Sequence, residues 1–289
     1  MRTKLRKWVF WVSFISAACF AAQESHAALA AADNADNYVG SGWGNGSSGG
    51  SGTWGSSWAI RSTPDGGFSD FFLASSASSN IRTPTRSWGA YGNGGSVPRS
   101  SAFRSWSGDL SIGQTFRVRI DNGFIESGGS IGVTLRTGNT TTSADSYTSG
   151  SRFEFRFQGG ESTYEIVDAG ATTTTVGFRS SGLTLNFTLT GVNTYDLVIR
   201  DAANSSLLQS LTGQTLGGTA GAALNSFALF VRDVGPNSMG TDDHDTYFNS
   251  VEVVPEPTNV ALAIFGGLVG LWGVGRHFKT RFGKSKLRG

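Results

Sequence analysis

The middle of the chain alternates apolar and polar residues with a period of two. Within residues 115–121, Phe116, Val118 and Ile120 are separated by Arg117 and Arg119. Successive side chains of a β-strand point to opposite faces, so this pattern predicts a strand with one apolar and one polar face. Further strands are predicted at 131–136, 152–158, 164–168, 183–189, 195–200, 226–232 and 247–253.

The preceding part of the chain is rich in Gly, Ser and Asn between residues 28 and 58. That composition is typical of a flexible linker, but aromatic residues recur through it. We therefore predict a first strand near Tyr38, then a long turn-rich loop, then a strand at 57–61. Short apolar strands are predicted at 68–74 and 87–91.

These segments indicate an all-β domain between residues 28 and 253. About nine to twelve strands are joined by glycine turns, and no helix is predicted among them. Strands with one apolar face pack as two antiparallel sheets, so the fold class is an antiparallel β-sandwich, a jelly roll of the concanavalin A-like kind. The strands from 115 to 200 are predicted to form a meander, with the N- and C-terminal strands side by side.

The N-terminus has the three parts of a signal peptide. Arg2, Lys4, Arg6 and Lys7 precede an apolar run at 8–22, and Ser25-His26-Ala27 follows as a small-x-small site. This order predicts a signal peptide at 1–27 that signal peptidase removes after Ala27. An uncleaved N-terminal anchor is the alternative.

The C-terminus has three pieces in a fixed order. Val254-Pro255-Glu256-Pro257 comes first, and an uncharged run at about 259–275 follows. As a helix that run is about 26 Å long, which predicts a transmembrane helix. A basic tail at 276–289 then acts as a stop and places everything before it outside the cytoplasm. The basic residues are Arg276, Lys279, Arg281, Lys284, Lys286 and Arg288. A buried C-terminal helix is the alternative.

This order of Pro-Glu-Pro, apolar span and basic end resembles the PEP-CTERM sorting signal of exported bacterial proteins. The resemblance covers residues 254–289. It implies recognition by an exosortase, a membrane enzyme, and removal of the tail near Pro255 to Pro257. The span would then be a transient membrane anchor, and the mature protein would reach the cell surface or the extracellular space. The strand pattern also resembles exported domains of unknown function that carry such tails.

Charge and cysteine content exclude several functions for the exported part. Between the leader and the basic tail there are thirteen Arg and no Lys against twenty Asp and Glu, a net charge near −7. Nucleic acid is therefore not an expected partner, because binding it requires clustered positive charge. The only cysteine, Cys19, lies in the predicted leader. We expect no disulfide and no thiol nucleophile in the mature protein.

An acidic cluster precedes the last predicted strand. Asp242, Asp243 and Asp245 surround His244, and Asn249 follows on the strand. Hard oxygen ligands of this kind suit Ca²⁺, so the sequence predicts one structural calcium ion held by some of these four. A solvated acidic loop is the alternative, and a lone His244 does not make a zinc site.

The prediction of glycan binding rests on five tryptophans, namely Trp43, Trp54, Trp58, Trp88 and Trp106. Trp43, Trp54, Trp58 and Trp88 could stack their ring faces on the apolar faces of sugars. The alternative is that they belong to the core.

No catalytic pattern is found. Glycosidases of concanavalin-like fold place carboxylates at short spacing on one strand, and the spacing of Glu161, Glu165 and Asp168 is wrong for this. Glu154 is expected to form a surface ion pair with Arg156. We therefore expect no enzyme but a surface or matrix protein that is structural, adhesive or glycan-binding, with extracellular polysaccharide as its partner. A divergent polysaccharide-active hydrolase is the alternative.

Overall fold

The protein is a sandwich of two antiparallel β-sheets in a computed structural model that describes residues 31–75, 80–82, 84–235 and 244–254. Nine strands form one sheet, namely β1 (Ala31–Asp33), β2 (Ser51–Gly52), β4 (Phe68–Ala74), β5 (Ser87–Asn93), β7 (Thr115–Asn122), β12 (Leu183–Gly191), β13 (Thr194–Asp201), β14 (Leu207–Thr215) and β16 (Thr246–Val254). Seven form the other, namely β3 (Ala59–Thr63), β6 (Arg99–Ser105), β8 (Ser130–Arg136), β9 (Ser151–Gln158), β10 (Thr163–Val167), β11 (Ala171–Gly177) and β15 (Ser226–Arg232). The predicted all-β sandwich is confirmed.

The chain crosses repeatedly between the two sheets. The nine-stranded sheet has the order β14-β13-β12-β7-β16-β1-β2, with β5 also paired to β16 and β4 to β5. The seven-stranded sheet has the order β11-β10-β9-β8-β15-β6-β3. Strands β1 and β16 are neighbours, which confirms that the first and last strands lie side by side. The single meander predicted from 115 to 200 is wrong, because β8–β11 and β12–β14 are two separate meanders in different sheets.

The apolar residues of the alternating strands form the core between the sheets. Phe116, Val118 and Ile120 of β7 are buried, and they belong to the same cluster as Phe153 and Phe155 of β9. Burying one such side chain contributes about 1.5–3 kcal/mol relative to leaving it exposed. The period of two therefore fixes which face of each strand points inward.

Some elements differ from the predictions. Tyr38 lies in a 3₁₀ helix, Ala35–Tyr38, rather than in a strand, because the Asn34 side chain accepts the Asp36 amide and starts a helical turn. Strands β2, β6, β11 and β14 lie where the sequence predicts no strand, and β2 is only two residues long. The β6 sequence is rich in serine, β11 contains a run of four threonines, and β14 is a largely exposed edge strand, so none shows an apolar alternation.

The predicted terminal segments lie outside the described residues. These are the signal peptide at 1–27, the Pro255-Glu256-Pro257 motif, the span at about 259–275 and the basic tail at 276–289. Val254 is described, ends β16 and pairs with Thr115 of β7. Within the described ranges, the helices are too short or too polar to cross a bilayer.

Two buried arginines without an acidic partner among the described residues fasten loops to the sandwich. Arg152 donates from Nε to the Gly217 carbonyl at 3.0 Å and from Nη2 to Asn193 Oδ1 at 2.7 Å. Its Nη1 donates to the Ala222 carbonyl. Arg136 makes the same kind of contact at the end of β8, with two backbone carbonyls. Each guanidinium thus replaces the water that its loop carbonyls would otherwise bind.

Gly132 of β8 lies where no side chain fits. A Cβ atom there would be 2.2 Å from the Phe155 carbonyl oxygen and 2.9 Å from Cζ of Phe230. We predict that Gly132→Ala lowers the free energy of unfolding by about 1–3 kcal/mol, because the strands must move apart to admit the methyl group. Urea unfolding of the full-length protein measures this. Gly108→Ala is the control, since a Cβ atom at Gly108 would have nothing within 4 Å; equal stability of the two variants would contradict the close packing.

Candidate functional site

The tryptophans predicted to stack on sugars form an interior aromatic cluster instead. Trp43, Trp58 and Trp88 are 7%, 1% and 0% exposed. The ring centroids of Trp43 and Trp88 are 5.5 Å apart in a stacked arrangement, and those of Trp58 and Trp88 are 5.1 Å apart. Trp106 is buried against Phe227. The predicted stacking role is therefore wrong for these residues, whose ring faces are covered by protein.

Trp54 is half-buried, but its ring is also occupied. The guanidinium carbon of Arg104 lies 4.0 Å from the Trp54 ring centroid, a cation–π contact. The ring lies 6.2 Å from that of Phe227, so it covers the edge of the core. Trp54 therefore contacts Arg104 and the core rather than standing free on the surface.

A buried carboxylate, Asp33, organises the region around these tryptophans. Its side chain is 0% exposed, and its Oδ2 accepts hydrogen bonds from the Tyr38 hydroxyl, Trp58 Nε1 and Arg104 Nη1. Its Oδ1 accepts the Asn34 amide and Asn37 Nδ2, each at 2.8 Å. All of these donors point inward, so the carboxylate is fully satisfied without water.

Arg104 connects this carboxylate to the glycine-rich loop. Its Nη2 donates to the Gly49 carbonyl at 2.9 Å and its Nε to the Ser56 carbonyl at 3.1 Å. Burial lowers the pKa of Arg104, whereas Asp33 acts to raise it. The residues that looked like a flexible linker are thereby attached to β6 of the seven-stranded sheet.

We predict that Asp33→Asn lowers the free energy of unfolding by about 3–5 kcal/mol, because it leaves the Arg104 charge buried without a partner. Glu252→Gln is the matched control. Glu252 pairs with Arg117 at 3.2 Å, but 36% of its side chain and 42% of the Arg117 side chain are exposed to solvent, so its loss should cost less than about 1 kcal/mol. Adding Arg104→Met to Asp33→Asn should restore part of the loss. Urea unfolding that gave equal costs for the two single variants would show that burial of the pair does not matter.

The predicted calcium ligands are not assembled in the described part of the chain. Asn249 is buried, and its Oδ1 accepts the amides of Ala35 and Ser250, both at 2.9 Å. Its Nδ2 donates to the carbonyls of Ile81 and Arg86, both at 2.8 Å. Both lone pairs of the amide oxygen are thus in use, and the prediction that Asn249 binds calcium is wrong.

Asp245 is the one predicted carboxylate ligand within the described residues. It lies four residues before Asn249 along an extended chain, a separation of about 13 Å, which is too far for one ion. Asp242 and Asp243 lie outside the described residues. Within the described ranges there is no group of three or more His, Cys, Asp and Glu side chains that could hold a metal ion. A calcium site at the acidic loop stays a prediction that rests on the sequence.

The Glu154–Arg156 pair is less exposed than expected. The Glu154 side chain is 7% exposed, and Arg156 Nη1 donates to it at 3.2 Å. Arg156 also pairs with Glu165 through Nη2. Burial raises the pKa of Glu154, and the neighbouring Arg156 acts to lower it. The expected surface ion pair is therefore a half-buried bridge in which one arginine holds two carboxylates.

Three loops at one end of the sandwich enclose an open hollow of about 460 Å³. Phe157 forms its floor, and Phe124 and Phe178 stand at its sides with 64% and 50% of their surface exposed. We call this feature the phenylalanine hollow. Glu126 and Glu161 also line it, so the lining combines aromatic residues with two acidic ones.

Close contact between two of these loops gives the hollow its shape. A Cβ at Gly159 would lie 1.7 Å from the Glu126 carbonyl oxygen, so only glycine allows the β9–β10 turn to approach the β7–β8 loop. The Gly159 amide donates to the Gly129 carbonyl at 2.9 Å. His244 Nδ1 lies 2.9 Å from the Phe124 carbonyl oxygen, which fixes the loop on its other side.

The sequence prediction missed the phenylalanine hollow, although a local signal was present. Phe124 and Phe178 each follow a glycine at the end of a strand, as Gly123-Phe124 and Gly177-Phe178. A large apolar residue at such a loop position has no core to enter, so its exposure is informative. The sequence does not show that these two loops meet, because their meeting depends on the strand order.

No protein-family model and no curated protein matches the chain. Solved structures with a similar fold include the Trypanosoma cruzi calreticulin globular domain, with 7% identity, a TM-score of 0.45, and coverage of 73% of this chain and 90% of that one. A legume lectin-like domain from Entamoeba histolytica has 9% identity, a TM-score of 0.40, and coverage of 68% and 89%. The cellulose-induced protein Cip1 has 11% identity, a TM-score of 0.41, and coverage of 77% and 96%. At these values the similarities carry no inference about residues or activity.

Buried tyrosines predict how stability depends on pH. Burial raises the pKa of Tyr38, Tyr164 and Tyr195, with Asp33, Asp121 and Asp168 as further causes in turn. In the unfolded chain a tyrosine loses its proton near pH 10, whereas these three keep it in the folded protein. Above pH 10 the folded state then binds more protons than the unfolded state. The contribution of these tyrosines to the free energy of unfolding should therefore be fully present below pH 10 and should fall as the pH rises above it.

The variant Tyr195→Phe should make that fall shallower, by a difference in slope that rises toward about 1.4 kcal/mol per pH unit, the value for one proton, as the pH passes above 10. Urea unfolding between about pH 9 and pH 11 measures the two slopes. Burial lowers the pKa of Arg136 to about 10, which acts in the opposite direction, but it is common to both proteins. Identical slopes would mean that the Tyr195 hydroxyl ionises equally in the folded and unfolded chains.

Proposed function

We propose that this chain is an exported β-sandwich protein, a jelly roll of the concanavalin A-like kind, that binds glycans at the cell surface or in the extracellular matrix. The observation that carries the proposal is the phenylalanine hollow. Its volume lies in the range of ligand sites, about 300–1,000 Å³. It combines exposed aromatic rings with a few polar groups, as carbohydrate recognition requires.

The chemistry of the hollow favours a neutral glycan. The rings of Phe124 and Phe178 can stack on the apolar C–H faces of sugar rings. The carboxylates of Glu126 and Glu161 can accept hydrogen bonds from sugar hydroxyls, and hydrogen bonds to a charged acceptor are the stronger kind. The same carboxylates would repel an acidic sugar. The proposal thus keeps the glycan-binding function that the sequence suggested but assigns it to phenylalanines rather than tryptophans.

The terminal segments support export and sorting. The signal-peptide pattern at 1–27 would direct the chain out of the cytoplasm. The resemblance of residues 254–289 to a PEP-CTERM signal implies processing by an exosortase. Because β16 ends at Val254, the Pro-Glu-Pro motif begins directly after the folded domain, with no linker between them. A processing enzyme would therefore work next to the sandwich.

A polysaccharide-active hydrolase is the second candidate function. The observation in its favour is that two carboxylic acids, Glu126 and Glu161, line the same hollow, and hydrolysis of a glycosidic bond requires a carboxylate pair. Release of reducing ends from a bound polysaccharide, and its loss in Glu126→Gln, would identify an enzyme. Binding without release identifies a binding protein.

We expect Phe124→Ala and Phe178→Ala each to weaken binding to neutral matrix polysaccharide at least about tenfold, which corresponds to 1.4 kcal/mol of lost stacking. The full-length protein is purified in a detergent without a sugar head group, and affinity electrophoresis through the polysaccharide measures binding. Phe68→Ala is the control, because Phe68 is an exposed phenylalanine on β4 outside the hollow. Unchanged retardation of both hollow variants would disprove the assignment of the site.

A further inference from the structure

A second concave site lies at the opposite end of β8 from the phenylalanine hollow. It is a cleft of about 150 Å³ on the seven-stranded sheet, and Phe103, Ser105, Arg136 and Ser226 belong to its lining. Three of these occupy one row of the sheet, because Ser226 of β15 pairs with Ser105 on one side and with Arg136 on the other. We call this feature the arginine cleft.

The Arg136 side chain in this cleft is a buried charge without a counter-ion. It is 0% exposed, and its guanidinium carbon lies 5.0 Å from the Phe103 ring centroid. Its Nε and Nη2 donate to the carbonyls of Ser149 at 3.0 Å and Thr140 at 2.6 Å. Its Nη1 has no acceptor among the described residues. Removing a charge from water without pairing it is costly, so an arrangement of this kind favours an external anion.

The surroundings of the arginine cleft are positive within a negatively charged domain. Arg104 also lines the cleft, but the Asp33 carboxylate neutralises it, which leaves the single charge of Arg136. Of the described residues that line the cleft, none is acidic. Burial lowers the pKa of Arg136 to about 10, so the guanidinium is still charged at neutral pH. The cleft therefore offers one uncompensated positive charge.

Hydroxyl and amide groups surround the entrance of the cleft. Ser57 and Asn139 are exposed, and Thr141 is half-buried beside them. Such groups can donate to and accept from the hydroxyls of a sugar. Charge at the floor and neutral hydrogen-bonding groups at the entrance together match a sugar that carries one acidic group.

We propose that the arginine cleft binds the carboxylate of an acidic sugar residue, a uronate, with Arg136 as the group that pairs with it. A carboxylate is a monoanion, which matches the one uncompensated charge of the cleft. Nη1 is the nitrogen left to donate to that carboxylate, because Nε and Nη2 already donate to backbone carbonyls. This site differs from the phenylalanine hollow in position and in the charge it accepts, so the proposal does not rest on the function of the hollow.

Titration of the full-length protein with sodium glucuronate at constant ionic strength tests this by isothermal calorimetry. Glucuronate should bind, acetate should compete with it, and neutral glucose should not. The variant Asn139→Asp should weaken glucuronate binding at least tenfold, because it places a negative charge at the entrance and leaves every contact of Arg136 intact. Asn204→Asp is the control, since it adds the same charge at an exposed turn between β13 and β14, outside the cleft.

Absence of glucuronate binding, or equal affinity in the native protein and Asn139→Asp, overturns the proposal. Competition by sulfate that is as strong as that by acetate overturns the choice of a carboxylate. The Phe124→Ala variant should bind glucuronate as the native protein does. Failure at the cleft and failure at the hollow are thus observed separately.

Discussion

The buried ion pair between Asp33 and Arg104 is the contact on which the N-terminal third of the domain depends. Residues 39–57 contain many glycines and few apolar side chains, so hydrophobic burial alone does not hold them. Within this segment the carbonyls of Gly49 and Ser56 accept hydrogen bonds from Arg104, whose charge is paired with Asp33. Because β1 belongs to the nine-stranded sheet and β6 to the seven-stranded sheet, this pair also joins the two layers. The Asp33 carboxylate of this pair also accepts a hydrogen bond from the indole N–H of Trp58.

The alternating segments were predictable because the alternation of apolar and polar residues lies within each segment. The faces of β7, β8, β9, β12 and β13 follow from the sequence, since a period of two has one structural explanation. Of the strands that escaped prediction, β6 owes its burial to its neighbours. The serine-rich β6 lies between β15 and β3 and is buried by the groups packed on both of its faces. No local pattern reports such burial.

The candidate functional residues were harder to predict than the fold, for a physical reason. Tryptophans in a glycine-rich segment are typical of a binding surface. In the fold, however, Trp54 and Trp58 pack against Arg104, which is distant in sequence, and Trp58 donates to the buried Asp33 carboxylate. The role of Asn249 likewise depends on Ala35, which is 214 residues away in sequence. Phe124 and Phe178 stand on loops that meet only because β7, β9, β10 and β11 are arranged in their particular order. Residue type suggested the chemistry, but tertiary contacts decided which residues were available for it.

The arginine clamps have a consequence for how the protein can be modified. Arg104, Arg136 and Arg152 each bind groups in several directions at once, which the three donors of a compact lysine ammonium do not match in geometry. The sequence uses arginine throughout, with no lysine between Lys7 and Lys279. The domain therefore presents no side-chain amine. Modifications that start from a lysine amine, such as Lys acylation and isopeptide cross-linking, therefore have no side-chain target on this sandwich.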